Sequence, residues 1–549
     1  MNSRESVTAA RSPVELEKTI WDAIVVGSGM GGATVGYQLA RAGRSVLFLE
    51  KGASFLETPA DAIVGLTPEE TCDLASLDEG QRGEILARAG RSSDLVTDAS
   101  SDPPKRFVPE IGSGTGGSTA LFGMVLERMF PCDFTPRQNH PDAADASLPE
   151  SWPIAYEDLL PYYEAVERLF RVRGTADPLR RDEPCDSLIA PPPLTKANAD
   201  LFEYMRQRGL HPYQLHLACE HLDGCQTCQG FLCGRACKND AGRVCLEPAV
   251  RQHGAIVLSR CTVTRLEATR TAVERVVCRW RGQTLALRGK FVVLAAGGLA
   301  TPVLLLNSKS ELWPTGLAND NDLVGRNLMR HCIDMTVLRP RKLAEPITGQ
   351  TKELSFNDFY LREGRKYGSV QSIGGLPPFL HYLGKLSPRW RFLRYLRPIL
   401  GPSWDWARRR VIVLASILED PPYADNRVVP GDRPITDGSQ SITLYYRLRE
   451  RERNRAREYA RELRELFEPY RPLTLSVSQD NKVIAHVCGT CRFGDDPKTS
   501  VLDRNCRAHG LENLYVADAS FFPSSGGINP SLTIAAGALR LGEHLHSRL

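Results

Sequence analysis

Two residues near the C-terminus have the types that proton-transfer chemistry needs. His486 stands in HVCGTCRFG, and Asn529 follows it by 43 residues in GGINPSLTIAAGAL. A histidine titrates near neutrality and can take or give a proton, and an asparagine amide can donate to a developing oxyanion. A lone histidine is more often structural than catalytic, so its surroundings decide. Pro530 beside Asn529 is a favoured first residue of a helix, and Ser531–Leu541 continues as a mainly apolar helix. A helix N-terminus carries free amides and partial positive charge, which suits an anionic ring such as a reduced flavin.

These residues need elements to position them. The sequence predicts a strand over Leu475–Ile484, directly before His486. Leu514–Val516 reads as a second strand ending at Asp518, and Ser524-Ser525-Gly526-Gly527 as the turn that leads to Asn529. Arg451–Phe467 reads as an amphipathic helix, with Ala456, Tyr459, Ala460, Leu463 and Phe467 on one stripe and its charges on a solvated face.

The N-terminal end carries a different chemistry. Ala23–Val26 is a short apolar run of the kind that forms a buried parallel strand. Gly27-Ser28-Gly29-Met30-Gly31-Gly32 follows and fits G-x-G-x-x-G. Gly27 permits the tight turn, Gly29 lets the backbone approach a pyrophosphate, and Gly32 lets the next helix pack on the strand. Amides at that helix N-terminus face the phosphates. Ser45–Leu49 is the second strand, and Glu50, 18 residues after Gly32, is placed to accept hydrogen bonds from a ribose. Strand, glycines, helix, strand and acid in this order imply a dinucleotide site. They do not choose between FAD and NAD.

Taken with GSGTGGSTALFGMVLERMFPCDF (112–134), WPIAYEDLLPYYEAVERLFRVRG (152–174), FVVLAAGGLATPVLLLNS (291–308) and LVGRNLMRHC (323–332), the two ends make the chain resemble the glucose–methanol–choline (GMC) flavin oxidoreductases over nearly its whole length. The resemblance implies an α/β (α+β overall) fold, in which a Rossmann-like FAD-binding domain is interleaved with a substrate domain built on an antiparallel sheet with helices. A tail, 1–20, would precede FAD-domain segments 21–130, 215–335 and 480–549, and the substrate domain would take 131–214 and 336–479. His486 and Asn529 would be the active-site pair. FAD would be held by Gly27, Gly29, Gly32, Glu50, Gly116, Gly117, Ser118, Val263, Asp518, Pro530 and Thr533, with Val263 in the strand that meets the adenine. Residues 107–131 contain no histidine, which implies non-covalent FAD. Neutral His486 would accept the hydroxyl proton of an alcohol, directly or through one water. Asn529 would donate to the alkoxide, and the flavin would take the hydride. The substrate would be a sugar, polyol or natural-product alcohol, with O2 or another electron acceptor. HVCGTCRFGDDPKTSVLD and GGINPSLTIAAGALR also look like bacterial members that oxidise aminoglycoside sugars. A redox-neutral lyase or isomerase on the same scaffold and an electron-transfer dehydrogenase subunit are the competing classes.

Six of the 15 cysteines fall within 27 residues: Cys219, Cys225, Cys228, Cys233, Cys237 and Cys245. Thiolates this close suit a metal or an iron–sulfur cluster, and His216 and His221 keep zinc open. The spacing of Cys228, Cys233 and Cys237 is similar to that of GMC dehydrogenase subunits with a three-iron cluster; free or paired thiols are the other reading. Cys491 reads as packing and Cys488 as a candidate pocket residue. His331 follows GRNLM, with Arg330 where the family usually has an acid, and reads as structural.

Lys+Arg 69 against Asp+Glu 65 leaves a net charge of +4, which gives no argument for nucleic acid. No apolar run is long enough for a transmembrane helix, and residues 1–20 are polar without a signal-peptide core, so the expected compartment is the cytoplasm. Between Pro377 and Arg410, lysine and arginine alternate with Trp390, Phe392, Tyr395, Trp404 and Trp406. This segment is either a helical lid with a basic outer face or a peripheral membrane or redox-partner surface.

Overall fold

The computed structural model describes residues 11–549 apart from 57–60, 75, 226, 342–346, 348–351, 375, 377–395, 435–437 and 483. The apolar run at the N-terminus is a strand, Ile20–Val26, buried from Ala23 onward. It lies between Val46–Leu49 and Gln283–Leu294, all parallel, with Val25 opposite Phe48 on one side and Val293 on the other. Ile256–Leu258 and Leu514–Val516 extend the parallel sheet at its two sides. Gln283–Leu294 is used twice. Its first half pairs antiparallel with Val273–Trp280, which pairs in turn with Cys261–Ala268. Its last residues, Phe291–Leu294, are the sheet centre and are buried without alternation, as both faces of a parallel sheet are covered.

The helix Met30–Arg41 packs on the C-terminal helix Ser531–Arg548, and Tyr156–Leu169 packs on the latter's other side. Tyr163 reaches across to Thr533, with 2.9 Å between their hydroxyls. So 156–169, expected on the substrate side, supports the dinucleotide side.

The second large sheet is antiparallel throughout, in the order Leu473–Leu475, Cys332–Leu338, Ile412–Leu418, Val370–Gly374, Leu354–Phe356, Tyr213–Gln214. Alternation along its strands separates two faces. Ile412, Leu414 and Leu418 join a core with Tyr459 and Leu463 of the helix Glu450–Leu466, Phe467 just after it, and Leu201 and Met205 of the helix Lys196–Gln207. Val413, Ala415 and Ile417 face a cavity instead. A smaller sheet joins Arg427–Pro434, Gln440–Tyr445, Val96–Asp98 and Lys105–Phe107.

The strand expected over Leu475–Ile484 is confined to Leu473–Leu475. Polar side chains end it: the Ser478 amide donates to Asp334, and Asn481 donates to Asp98 and to the Tyr446 carbonyl. Most of the basic aromatic segment, 377–395, lies outside the described residues. Its end is the helix Arg397–Arg408, with Ile399 and Trp406 exposed. Among the described residues no helix is long and apolar enough to cross a membrane.

Candidate active site

A cavity of about 2110 Å³ lies between the two large sheets. Small-molecule pockets are usually about 300–1,000 Å³, so this one has room for a dinucleotide and a substrate together. Gly27–Gly31, Glu50, Gly117, Ser118 and Asp518 line one part; Ile333, Met335, Gln371 and Ile417 line another.

The dinucleotide end is built from close backbone approaches. Gly27 has φ +97°, and a Cβ there would stand 2.4 Å from the Ala295 carbonyl oxygen. A Cβ on Gly32 would stand 2.1 Å from the Gly27 carbonyl oxygen, so the helix starts against its own turn only because this residue is glycine. Gly29 is the N-cap of Met30–Arg41 and presents that helix's free amides to the cavity. Glu50 is buried and accepts from the Ser28 amide and hydroxyl and from the Gly52 and Gly114 amides at 2.6–3.1 Å. Val263 lines the cavity on the strand Cys261–Ala268. The Asp518 carboxylate accepts from the Gly297 amide, Thr301 and Ser520. A glycine-walled cleft at a helix N-terminus with a buried acid fits FAD. Three expected ligands do not line the cavity. Gly32 acts through packing, Gly116 sits against Gly242, and Thr533 turns away to Tyr163.

The proton-transfer end is assembled from distant segments. An antiparallel bridge joins Met329 to Cys488, each amide donating to the other's carbonyl at 3.1 and 3.0 Å. Two residues outward on each strand this pairing sets His331 against His486. Both have left-handed backbones, φ +60° and +54°. Such residues cost about 1–3 kcal/mol each and persist where the surroundings impose them.

Their ring nitrogens then order the protons. His331 Nε2 lies 3.1 Å from the Ser525 carbonyl oxygen and 2.8 Å from that of Gly526. Carbonyls only accept, so Nε2 carries a hydrogen and Nδ1 of neutral His331 is a lone pair. That lone pair faces His486 Nδ1 at 2.9 Å, so His486 Nδ1 donates and its Nε2 is left unprotonated. Asn529 Nδ2 donates toward this Nε2 at 3.5 Å, and Asn529 Oδ1 accepts from Gln371 at 3.0 Å. Burial above all, with the nearby charge of Lys352, holds the pKa of His486 well below the ordinary histidine value. It is a neutral ring whose unprotonated Nε2 lies at the cavity beside the Asn529 amide.

Two acids after the strand Ile412–Leu418 hold the frame. Asp420 accepts from the amides of Arg330 and His331 and from Ser525 and Tyr446. Glu419 accepts from the Gly526 amide and faces His140 at 3.2 Å. Lys352 also reaches the cavity, only 4% exposed, and donates to Gln229 at 3.0 Å. Among the described residues no carboxylate pairs with it. Burial, then Lys238, holds its pKa down to about 7.

Sequence reasoning missed His331 as a site residue; its ring contact with His486 replaces the structural reading. The signal lay in its place beside the GRNLM block, but its partner is 155 residues away. Gln371, Lys352, Glu419 and Asp420 carried no motif. Cys488 is buried in the core and does not line the cavity; Cys491 packs as expected. The proposed metal ligands do not assemble a metal site among the described residues. Cys228 pairs with Cys233, whereas Cys237 sits with Cys225, whose sulfur is 3.7 Å from that of Cys219. Among the described residues no group of three or more histidine, cysteine or acidic side chains could hold a metal, so the iron–sulfur expectation is not supported.

The GMC oxidoreductase description matches residues 21–333 and 422–538. The chain is 30% identical to 6'''-hydroxyparomomycin C oxidase of Streptomyces lividus, over 96% of this chain and 92% of that one. It is 29% identical to paromamine 6'-oxidase of Streptomyces fradiae, over 95% and 90%. The crystal structure of pyridoxine 4-oxidase from Mesorbium loti superposes with a TM-score of 0.64 at 21% identity, covering 96% of this chain and 99% of that one. With the glycine cleft, the His486–Asn529 pair and the matching family blocks in place, the chain belongs to the GMC oxidoreductases and is an FAD-dependent oxidoreductase of CH–OH donors.

Proposed function

We propose that this enzyme oxidises a hydroxyl-bearing carbon of a sugar, polyol or related natural-product alcohol to a carbonyl, with His486 as the base. The observation that carries this reading is the proton order of the histidine pair. Two backbone carbonyls fix the His331 tautomer, and His331 in turn leaves His486 Nε2 as the acceptor at the cavity. The substrate hydroxyl gives its proton to that nitrogen. Asn529, oriented by Gln371, offers its amide hydrogens to the developing alkoxide. FAD, held non-covalently by the glycine cleft and Glu50, supplies the hydride acceptor when bound. Ile333, Met335, Val413 and Ala415 give the cavity an apolar wall on the strand side.

One relative is named a 6'''-hydroxyparomomycin C oxidase and another a paromamine 6'-oxidase, which supports a sugar hydroxyl as the reacting group. The test is an anaerobic visible spectrum of the holoenzyme with a panel of sugars and polyols. A substrate bleaches the flavin, and readmitted air reoxidises it directly if O2 is the acceptor. His486→Ala keeps its FAD and slows bleaching by about 10²–10⁴-fold, the usual contribution of a general base. Unchanged bleaching in that variant would remove His486 from the base role.

A further inference from the structure

We infer that Lys352, with the amide of Gln229, forms an anion subsite in the alcohol cavity, so that the substrate carries a carboxylate as well as the hydroxyl that faces His486. The inference rests on the reading of the cavity as an alcohol site and narrows its substrate class to hydroxylated acids.

The geometry is that of a cation built into the wall. Lys352 is 4% exposed, yet its amine reaches the cavity. It stands just before the strand Leu354–Phe356, whose Ser355 pairs with Gln371, the residue that orients Asn529. It is near enough to His486 for its charge to act on that ring. The amine has three donors, and Gln229 Oε1 accepts one of them. A buried ammonium with one neutral acceptor among the described residues is costly, and a bound carboxylate would supply charge and further acceptors. Gln229 turns its oxygen to the lysine, which leaves its amide hydrogens for the same anion. Space is reserved as well: a Cβ on Gly123 would stand 2.1 Å from Lys352 Nζ.

A second polar group fits a polyhydroxylated acid. Gln371 Oε1 is buried without a partner among the described residues. It can accept from a substrate hydroxyl between the reacting carbon and the carboxylate.

The experiment uses the holoenzyme and three matched probes: benzoate, benzamide and benzylammonium. Each is titrated while the flavin spectrum is followed, in the wild type, Lys352→Met and Lys352→Arg. The expected result is benzoate binding at least about tenfold tighter than the other two, as a charge-assisted contact should give. Lys352→Met loses that preference and Lys352→Arg keeps it. His486→Ala keeps benzoate affinity, so failure of the base reading and failure of this inference give different results. Equal binding of the three probes by the wild type, no binding of benzoate, or an unchanged preference in Lys352→Met would overturn it. If Lys352→Met shifts the flavin midpoint potential and leaves the probe preference intact, the lysine serves the cofactor and the subsite is excluded.

Discussion

The two ends of the cavity are built in opposite ways. At the dinucleotide end, Gly27, Gly32 and Glu50 come from one stretch of chain, and the constraints are steric: a Cβ 2.1 Å from a carbonyl oxygen, a φ of +97°. At the proton-transfer end, His331 and His486 are 155 residues apart, and Asn529 is 43 further on. There the constraint is hydrogen-bond order, imposed by carbonyls of the Ser525–Gly526 turn. Local steric design announces itself in spacing. A relay of tautomers exists only after folding.

The comparison predicts a double dissociation. Gly32→Val forces its branched side chain into the Gly27 carbonyl, so the cleft cannot close and the purified protein carries less than about a tenth of the wild-type FAD, since overpacking against backbone has no rotamer escape. Changes at the histidine pair leave FAD content intact and lower the rate. Full FAD occupancy in Gly32→Val, read from the ratio of flavin to protein absorbance, would break the contrast.

The relay itself is tested at His331. His331→Ala frees the His486 ring to take either tautomer and to tilt, and a misplaced base costs on the order of 10²-fold in flavin reduction. Its pH profile moves in a defined direction. In the wild type, burial and the nearby charge of Lys352 keep the His486 pKa well below its ordinary value, so kcat/KM is flat through neutrality and falls only in the acid range as the base protonates. Removing the His331 ring opens the buried His486 ring to water and relieves the desolvation that depresses its pKa, so the acid limb moves upward. A limb that stays in place while the rate falls would make His331 a steric support alone.

How much of this was legible follows from the same contrast. The first strand, the glycine turn and Glu50 were readable because a βαβ unit writes its demands into consecutive residues. The helix Glu450–Leu466 was readable within one residue because Tyr459 and Leu463 repeat at helical period over a charged background. The strand before His486 was overextended, because Leu475 and Val477 continue the apolar alternation while Asp480 and Asn481 make turn and side-chain bonds that no period reports. Thr533 was placed at the cofactor because it lies in the right turn of the right helix. At 3.6 residues per turn, Pro530, Ser531 and Ile534 face the cavity and Thr533 faces Tyr163.

Asp420 gives a smaller, structural effect. Asp420→Ala leaves the Arg330 and His331 amides and the Ser525 and Tyr446 hydroxyls without this acceptor. Unsatisfied buried donors cost about 1–3 kcal/mol each, so denaturant unfolding of the holoenzyme should show a loss of about 3 kcal/mol or more. Because Asp420 aligns the two backbones that carry His331 and its carbonyl partners, the rate falls with it. Loss of stability with an unchanged rate would show that the histidine relay stands without this carboxylate.

The smallest effect is expected where the sequence spoke most loudly. Cys228, Cys233 and Cys237 have cluster-like spacing, but Cys228 hydrogen-bonds with Cys233 and Cys237 with Cys225, and among the described residues no group that could hold a metal forms. Cys228→Ser and Cys237→Ser should therefore leave FAD content and flavin bleaching at wild-type levels. Anaerobically purified protein should hold less than about 0.3 iron per FAD, since a cluster needs several irons per site. Stoichiometric iron that disappears in either variant would mean that the thiols rearrange around metal. The steric–relay contrast would then need a third kind of region, ordered by its ligand.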